Sequence, residues 1–371
     1  MEVPVLVKKN WNQLRGRFVN INLIRTTAMF AVILLHAAGR WPVTSQEITQ
    51  MNPLELTQWG IVTVYQSIGV LAVPLFLMLT GALLLQPEKK EESLSVFFKK
   101  RWDRIGLPSL FWGATYFMWD FFVLNIPFTT ATLIQGILNG PYTQMWYMYV
   151  LIGLYLLTPM LRVFIAYATL KLVKYFLILW VVGTAILPVF SLFTIFQLNE
   201  NVFVLTGYVG FFVLGTYLST VHIRRSTLAV FTGLGVALTV LFTYVLAATV
   251  GGTEMYFFQQ YFSPTVILTS VMVFLLLLTF KPPSVQKQPN PSKVNKLIKL
   301  ISHNTLAIFF IHVIILESLQ NGYFGFALNR DTLNPLIEVP LMTILTMFIS
   351  LAIVLVLKKI PYMEKVIGCK M

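Results

Sequence analysis

Cysteine is almost absent from the 371 residues, and Cys369 is the only one. A single thiol excludes an intramolecular disulfide and any multi-cysteine metal site, and it leaves the redox compartment open. It reads as an unengaged cytosolic thiol. Charge is scarce as well: Asp, Glu, Lys and Arg make up 11% of the chain, against about 25% in ordinary soluble domains. Apolar types reach 57% and mean hydropathy is +0.76, which places the chain among integral membrane proteins. No metal-ligand cluster, Gly-rich phosphate loop or GxSxG elbow occurs, so soluble-type hydrolase, ATPase and zinc chemistry have no residues to stand on. An internal repeat is not visible either, which weighs against transporter folds built from paired halves.

What is present is a series of long apolar runs. Segments long enough to cross a ~30 Å hydrocarbon core fall at about 19 to 39, 60 to 86, 105 to 125, 145 to 166, 174 to 197, 202 to 220, 227 to 249, 263 to 280, 303 to 321 and 335 to 357. Backbone groups in lipid must be satisfied internally, and the runs lack the alternation of a barrel, so helices are predicted. The expected fold is an all-α integral membrane protein, a bundle of about ten transmembrane helices forming a single polytopic domain over residues 1–371. Segment 126–142 carries no charge and is expected to lie on or dip into the outer face.

The net charge of +13 raises the question of nucleic acid, and the position of the charges answers it. With these spans, 24 of the 27 basic residues fall on one side, Arg25 lies inside a span, and only Arg40 and Arg330 fall opposite. That bias sets topology in membranes. Both termini are therefore predicted to be cytoplasmic, with a cytoplasmic N-terminal segment over 1–18 and a Pro- and Lys-rich cytoplasmic linker over 281–300. The expected partners are membrane lipids and no nucleic acid.

Two polar residues interrupt the first span, Arg25 and His36, in RTTAMFAVILLH. Eleven helical steps separate them by roughly 16 Å and return them to nearly the same face. An Arg that snorkels to headgroups and a His that bonds a neighbouring helix fit that spacing as well as a functional stripe does. Arg101 and Arg104, three apart before the third span, would share a helix face and could grip a phosphate; ordinary anchoring is the alternative. His312 and Glu317 lie in the ninth span, where they could orient His36 or an acceptor, or simply join helices. Asp120 and Glu254 are candidate carboxylate partners for a His. His222 and His303 look unremarkable. Outer aromatics, among them Trp146 and Tyr149, suit headgroup anchoring or stacking against a carbohydrate.

Taken in order, these residues resemble a known family. Arg25 and, after ten residues, His36; Arg101-x-x-Arg104 followed by a proline; MWYMYVLIGLYLLTPMLR at the fourth span; and SHNTLAIFFIH near the ninth are similar to the membrane-bound acyltransferase-3 family. FFQQYFSPTVILTSVMVF is similar to its standalone members that O-acetylate bacterial surface polysaccharides. The resemblance implies transfer of an acyl group, usually acetyl, from cytoplasmic acetyl-CoA to a hydroxyl of a surface glycan or lipid-linked glycan precursor, at the bacterial cytoplasmic membrane and without a metal. By position it makes His36 the essential His and general base, Arg25 its paired Arg, and Arg101 and Arg104 ligands for coenzyme A phosphates. Many relatives carry a further domain after the last span; with the chain stopping at Met371, the acceptor is expected to be met by the membrane domain or a partner protein. The rival class is a secondary transporter or exporter using Arg25, His36, His312 and Glu317 for substrate or protons. A non-catalytic scaffold for polysaccharide assembly is a third.

Overall fold

The computed structural model describes residues 21–39, 48, 50–86, 89, 91–193, 207–280, 292–329 and 332–369. The segment 1–18, Arg40, Arg330 and residues 281–291 of the expected linker lie outside them. Among the described residues there is no strand, and the elements are α1 (Ile21–Ala38), α2 (Pro53–Gly69), α3 (Ala72–Leu84), α4 (Leu94–Arg101), α5 (Leu107–Phe122), α6 (Thr130–Asn139), α7 (Trp146–Tyr167), α8 (Leu170–Val181), α9 (Leu187–Phe193), α10 (Gly207–Leu218), α11 (Arg225–Thr249), α12 (Pro264–Thr279), α13 (Lys293–Gln320), α14 (Pro335–Leu357) and α15 (Met363–Val366). Residues 293–300 form the first two turns of α13.

Eight helical stretches among the described residues are long and apolar enough to cross a membrane. Of the other two expected spans, the one at 105–125 corresponds to α5, whose 16 residues rise only ~24 Å. The one at 202–220 corresponds to α10, of 12 residues, which begins where the described residues resume. The uncharged segment 126–142 contains a helix, α6, with no buried side chain.

Local sequence sets where several helices begin. Asn52-Pro53, Ser263-Pro264 and Asn334-Pro335 each place a capping side chain before a proline at the first helical position, and each cap accepts from a backbone N–H inside its helix. Such caps satisfy amide groups that have no partner inside the helix, and proline there gives up no hydrogen bond.

At the centre stands α1, packed against α2, α3, α12, α13 and α14. Its small and branched residues, Ala28, Ile33 and Ala38 among them, are closed off from the surroundings. Large apolar side chains such as Phe122, Leu156, Met160 and Leu241 face outward, as a lipid-solvated surface requires. α3 and α10 cross closely: a Cβ on Gly81 would stand 1.8 Å from the Phe212 carbonyl oxygen, and one on Gly215 would stand 1.9 Å from that of Met78. Only hydrogen fits at those two points. Membrane helices use small residues in this way because dispersion, not water exclusion, holds them together.

Gly81→Ala and Gly215→Ala are each expected to force the two helices apart and cost about 1–3 kcal/mol, the usual range for overpacking. Gly153→Ala, whose Cβ would meet nothing within 4 Å, serves as the control. Melting in detergent micelles reads the difference, and equal melting of Gly81→Ala and wild type would refute the close crossing.

Candidate functional site

Five cations converge at one end of the bundle. Arg25 from α1, Lys100 and Arg101 from α4, Arg104 from the turn after it, and Lys365 from α15 all border one cavity of about 370 Å³. The expectation that Arg101 and Arg104 sit one turn apart on a regular helix needs correction. Over Trp102–Gly106 the chain takes a wide π-turn, and the Leu107 N–H reaches back to the Trp102 carbonyl. Pro108 supplies the cause: it has no N–H to donate, and its ring crowds the carbonyl four residues earlier. The same widening precedes Leu187-Pro188. Both guanidiniums nevertheless border the cavity, with that of Arg101 lying 5.2 Å from the centre of the Phe97 ring and 5.6 Å from that of Tyr155.

Two acids at this end, Asp103 and Glu92, are already engaged. Asp103 meets Lys365 at 3.1 Å, and Glu92 holds Lys100 at 2.7 Å and Arg162 at 3.0 Å. The hydrogen bond from Lys100, helped by Arg162, keeps the Glu92 carboxyl below its usual range. Arg162, counted from sequence with the topological charges, is in fact a brace: it is 3% exposed, and its guanidinium also donates to the Leu84 carbonyl at 2.8 Å and to that of Lys89 at 3.1 Å. Among the described residues no carboxylate pairs with Arg25, Arg101 or Arg104, and Arg25 and Arg104 are near enough to repel each other. Like charges gathered around one space favour an anion there.

Away from the cations the lining turns apolar and aromatic, with Phe76, Leu79, Leu83, Tyr147, Leu151 and Phe309. Along α13 it runs from Ser302 to Phe309, so the cavity penetrates about 10 Å of helix. His303, set aside in the sequence, lies in this wall. So does Cys369, a free thiol as expected but buried at 9% exposed, and burial pushes it up to about 11. The segment after α14 reaches the cavity because the Trp112 indole donates to the Ile367 carbonyl at 3.2 Å and Lys358 pairs with Glu364 at 2.9 Å. Nothing in the local sequence signals that tie.

His36 does not line the cavity. Its ring centre is 5.1 Å from that of His312, and His312 lies 5.7 Å from the ring of Phe309, so a layer of rings separates the cavity from the paired imidazoles. His312 is fully buried, and its Nδ1 is 2.6 Å from the Phe309 carbonyl. A carbonyl only accepts, so Nδ1 carries a proton and donates it there.

The remaining candidates go elsewhere. Glu317 is five residues beyond His312, about 140° around α13, and accepts from the Trp119 indole at 3.0 Å and from the Tyr142 hydroxyl. Trp146 packs among Tyr147, Tyr208 and Tyr261. Tyr149 is exposed, and its hydroxyl donates to the Ile137 carbonyl of α6. Glu254 bonds its neighbour Thr253, and Asp120 borders a second, separate groove. Among the described residues no three His, Cys, Asp or Glu side chains are grouped to hold a metal ion.

Comparison with known proteins adds one finding. No curated protein and no solved structure matches the chain. The acyltransferase-3 family, described as an acyltransferase domain, matches it over residues 18–355, nearly its whole length. A match of that extent means that the chain, in which eight helical stretches among the described residues are long and apolar enough to cross a membrane and a basic cavity lies at one end, belongs to the acyltransferase-3 family.

Proposed function

We propose that the protein moves an acetyl group from acetyl-CoA to a hydroxyl of a surface glycan or its lipid-linked precursor, with His36 as general base. In this reading the basic end faces the cytoplasm of a bacterial cell, as the charge bias predicts. The observation that carries it is the cavity, cationic at one end and apolar at the other, which ends one ring layer short of His36. Coenzyme A has a matching polarity: a phosphate-bearing head, then a long neutral arm that ends in the thioester. Arg25, Arg101 and Arg104 would hold the phosphates, and the arm would follow α7 and α13 inward.

The chemistry asks little more of the chain. A thioester is already activated, and the acceptor hydroxyl lacks only a base. His36 takes the hydroxyl proton as oxygen attacks the thioester carbonyl carbon; the carbon–sulfur bond breaks, and coenzyme A leaves with its electron pair and regains the proton. His312, fixed by its bond to the Phe309 carbonyl, positions the His36 ring. Phe309 and Tyr147 must give way for the thioester to reach that base.

His36→Ala is expected to lower transfer by at least about 10²-fold at unchanged membrane expression, measured as coenzyme A release in micelles without any ion gradient. Full activity would remove His36 from the mechanism, and activity confined to sealed vesicles would favour transport. Replacing Arg101 and Arg104 together with Ala should raise the donor KM roughly tenfold or more, the size expected from losing charged hydrogen bonds; an unchanged donor titration would exclude them from that role.

Cys369 offers a footprint of the donor. Its thiol is held near 11 against an ordinary 9.0, so maleimide labelling at pH 8 should run about a hundredfold slower than at an exposed cysteine and quicken as pH rises toward 11. Desulfo-coenzyme A, which has no thiol of its own to consume the maleimide, should slow it further. Labelling indifferent to saturating desulfo-coenzyme A would mean that the donor lies elsewhere.

A further inference from the structure

A second groove lies between α5 and α6, distinct from the basic cavity and from the His pair. It measures about 500 Å³, and its lining includes Phe117, Asp120, Phe121, Thr132, Gln135 and Asn139. Asp120 is 16 residues along the chain from Arg104, about 24 Å of helix, so the groove sits at the opposite end of the bundle from the cations.

The groove is built, not a gap beside a loose helix. Although α6 buries no side chain, it is held at several points. Thr129 and Thr132 cap its start, and the Tyr149 hydroxyl grips the Ile137 carbonyl. At Gly136 a Cβ would stand 2.5 Å from the Phe117 ring, so only glycine lets that ring close against the helix. Thr132, Gln135 and Asn139 are spaced at three and four residues and so share one face, which is the groove's wall.

Its chemistry selects the ligand. The Oδ1 of Asp120 is shut off from solvent and has no hydrogen-bond partner among the described residues, so it lacks a donor. Gln135 and Asn139 add amides that both donate and accept, and Phe117, Phe121 and Phe128 add ring faces. No basic side chain lines the groove. With Glu317 close enough to act on Asp120, phosphates and carboxylates would be repelled. An acyl chain would leave the carboxylate and amides unsatisfied. Hydroxyl groups on a flat apolar ring face suit every part of this lining, and uncharged sugar units combine the two.

We infer that the α5–α6 groove binds neutral sugar units of the acceptor glycan. This rests on the proposed acyl transfer and supplies its missing half. Along α13, Phe309 belongs to the donor cavity, His312 to the imidazole pair, and Glu317 to the cluster with Trp119 and Tyr142 beside Asp120. The acceptor is thus held at one end, the donor at the other, and the base lies between.

The test is a binding measurement without acetyl-CoA. The probe is the producing cell's surface glycan, stripped of O-acyl groups with mild alkali, cut to soluble oligosaccharides and titrated calorimetrically into the purified full chain in micelles. Wild type should bind saturably. Asp120→Ala should weaken binding tenfold or more, and so should Gln135→Ala with Asn139→Ala, whose exposed positions on α6 leave folding intact. Arg101→Ala with Arg104→Ala should bind as wild type does. No binding by wild type, or wild-type affinity in the α6 double variant, overturns the groove. Oligosaccharide binding without any acyl transfer would leave the groove standing and overturn the reaction. Acyl transfer with an unchanged acceptor KM in the α6 variant would do the reverse.

Discussion

The arrangement depends on one helix pair, α1 lying along α13. Thr26 donates to the Ile298 carbonyl at 3.1 Å, Ser302 donates to the Asn22 side chain at 2.9 Å, and further along His36 meets His312 at 5.1 Å between ring centres. Without water, each polar group on these helices has to be met by protein. The pair therefore fixes the rotation of α1, and that rotation sends Arg25 into the cavity wall and His36 to the buried imidazole. Five helices pack around α1 and hold it there.

The cost of charge in hydrocarbon explains the division of the rest. Cations gather at one end, where Glu92 and Asp103 tie down Lys100, Arg162 and Lys365, and the three arginines of the cavity remain for an anionic ligand. Carboxylates at the other end, Glu317 and Asp120, sit among Trp119, Tyr142 and the rings of the second groove. Between them the chain is nearly uncharged, apart from two imidazoles. Imidazole suits that place because its neutral form costs little to bury and it can still take up a proton.

Much of this was legible from the residues. Hydropathy gave the helical class and the membrane, because twenty apolar residues in a row have few other stable fates. The spacing of Arg25 and His36 gave a shared stripe on α1. Less legible were features made by contacts distant in sequence. The span at 60–86 begins earlier, at Pro53, and passes through two helices. Arg101 and Arg104 are separated by a π-turn, although Pro108 was a visible warning of it. Arg162 looked like one more topological charge, and its role as a brace depends on carbonyls some 70 residues away.

The sequence by itself determined the solvent of this protein, the helical form of its backbone, the end at which its positive charge collects and, through ordered motifs, its family. These follow from composition and from periodicity within single segments, where the physics is local. Tertiary structure alone decided that the His36 ring meets that of His312, that Cys369 and Lys365 close a cavity begun by Arg25, and that a stretch without charge forms one wall of a second groove. Those facts depend on which faces of distant helices meet, and that is set by packing the whole bundle at once.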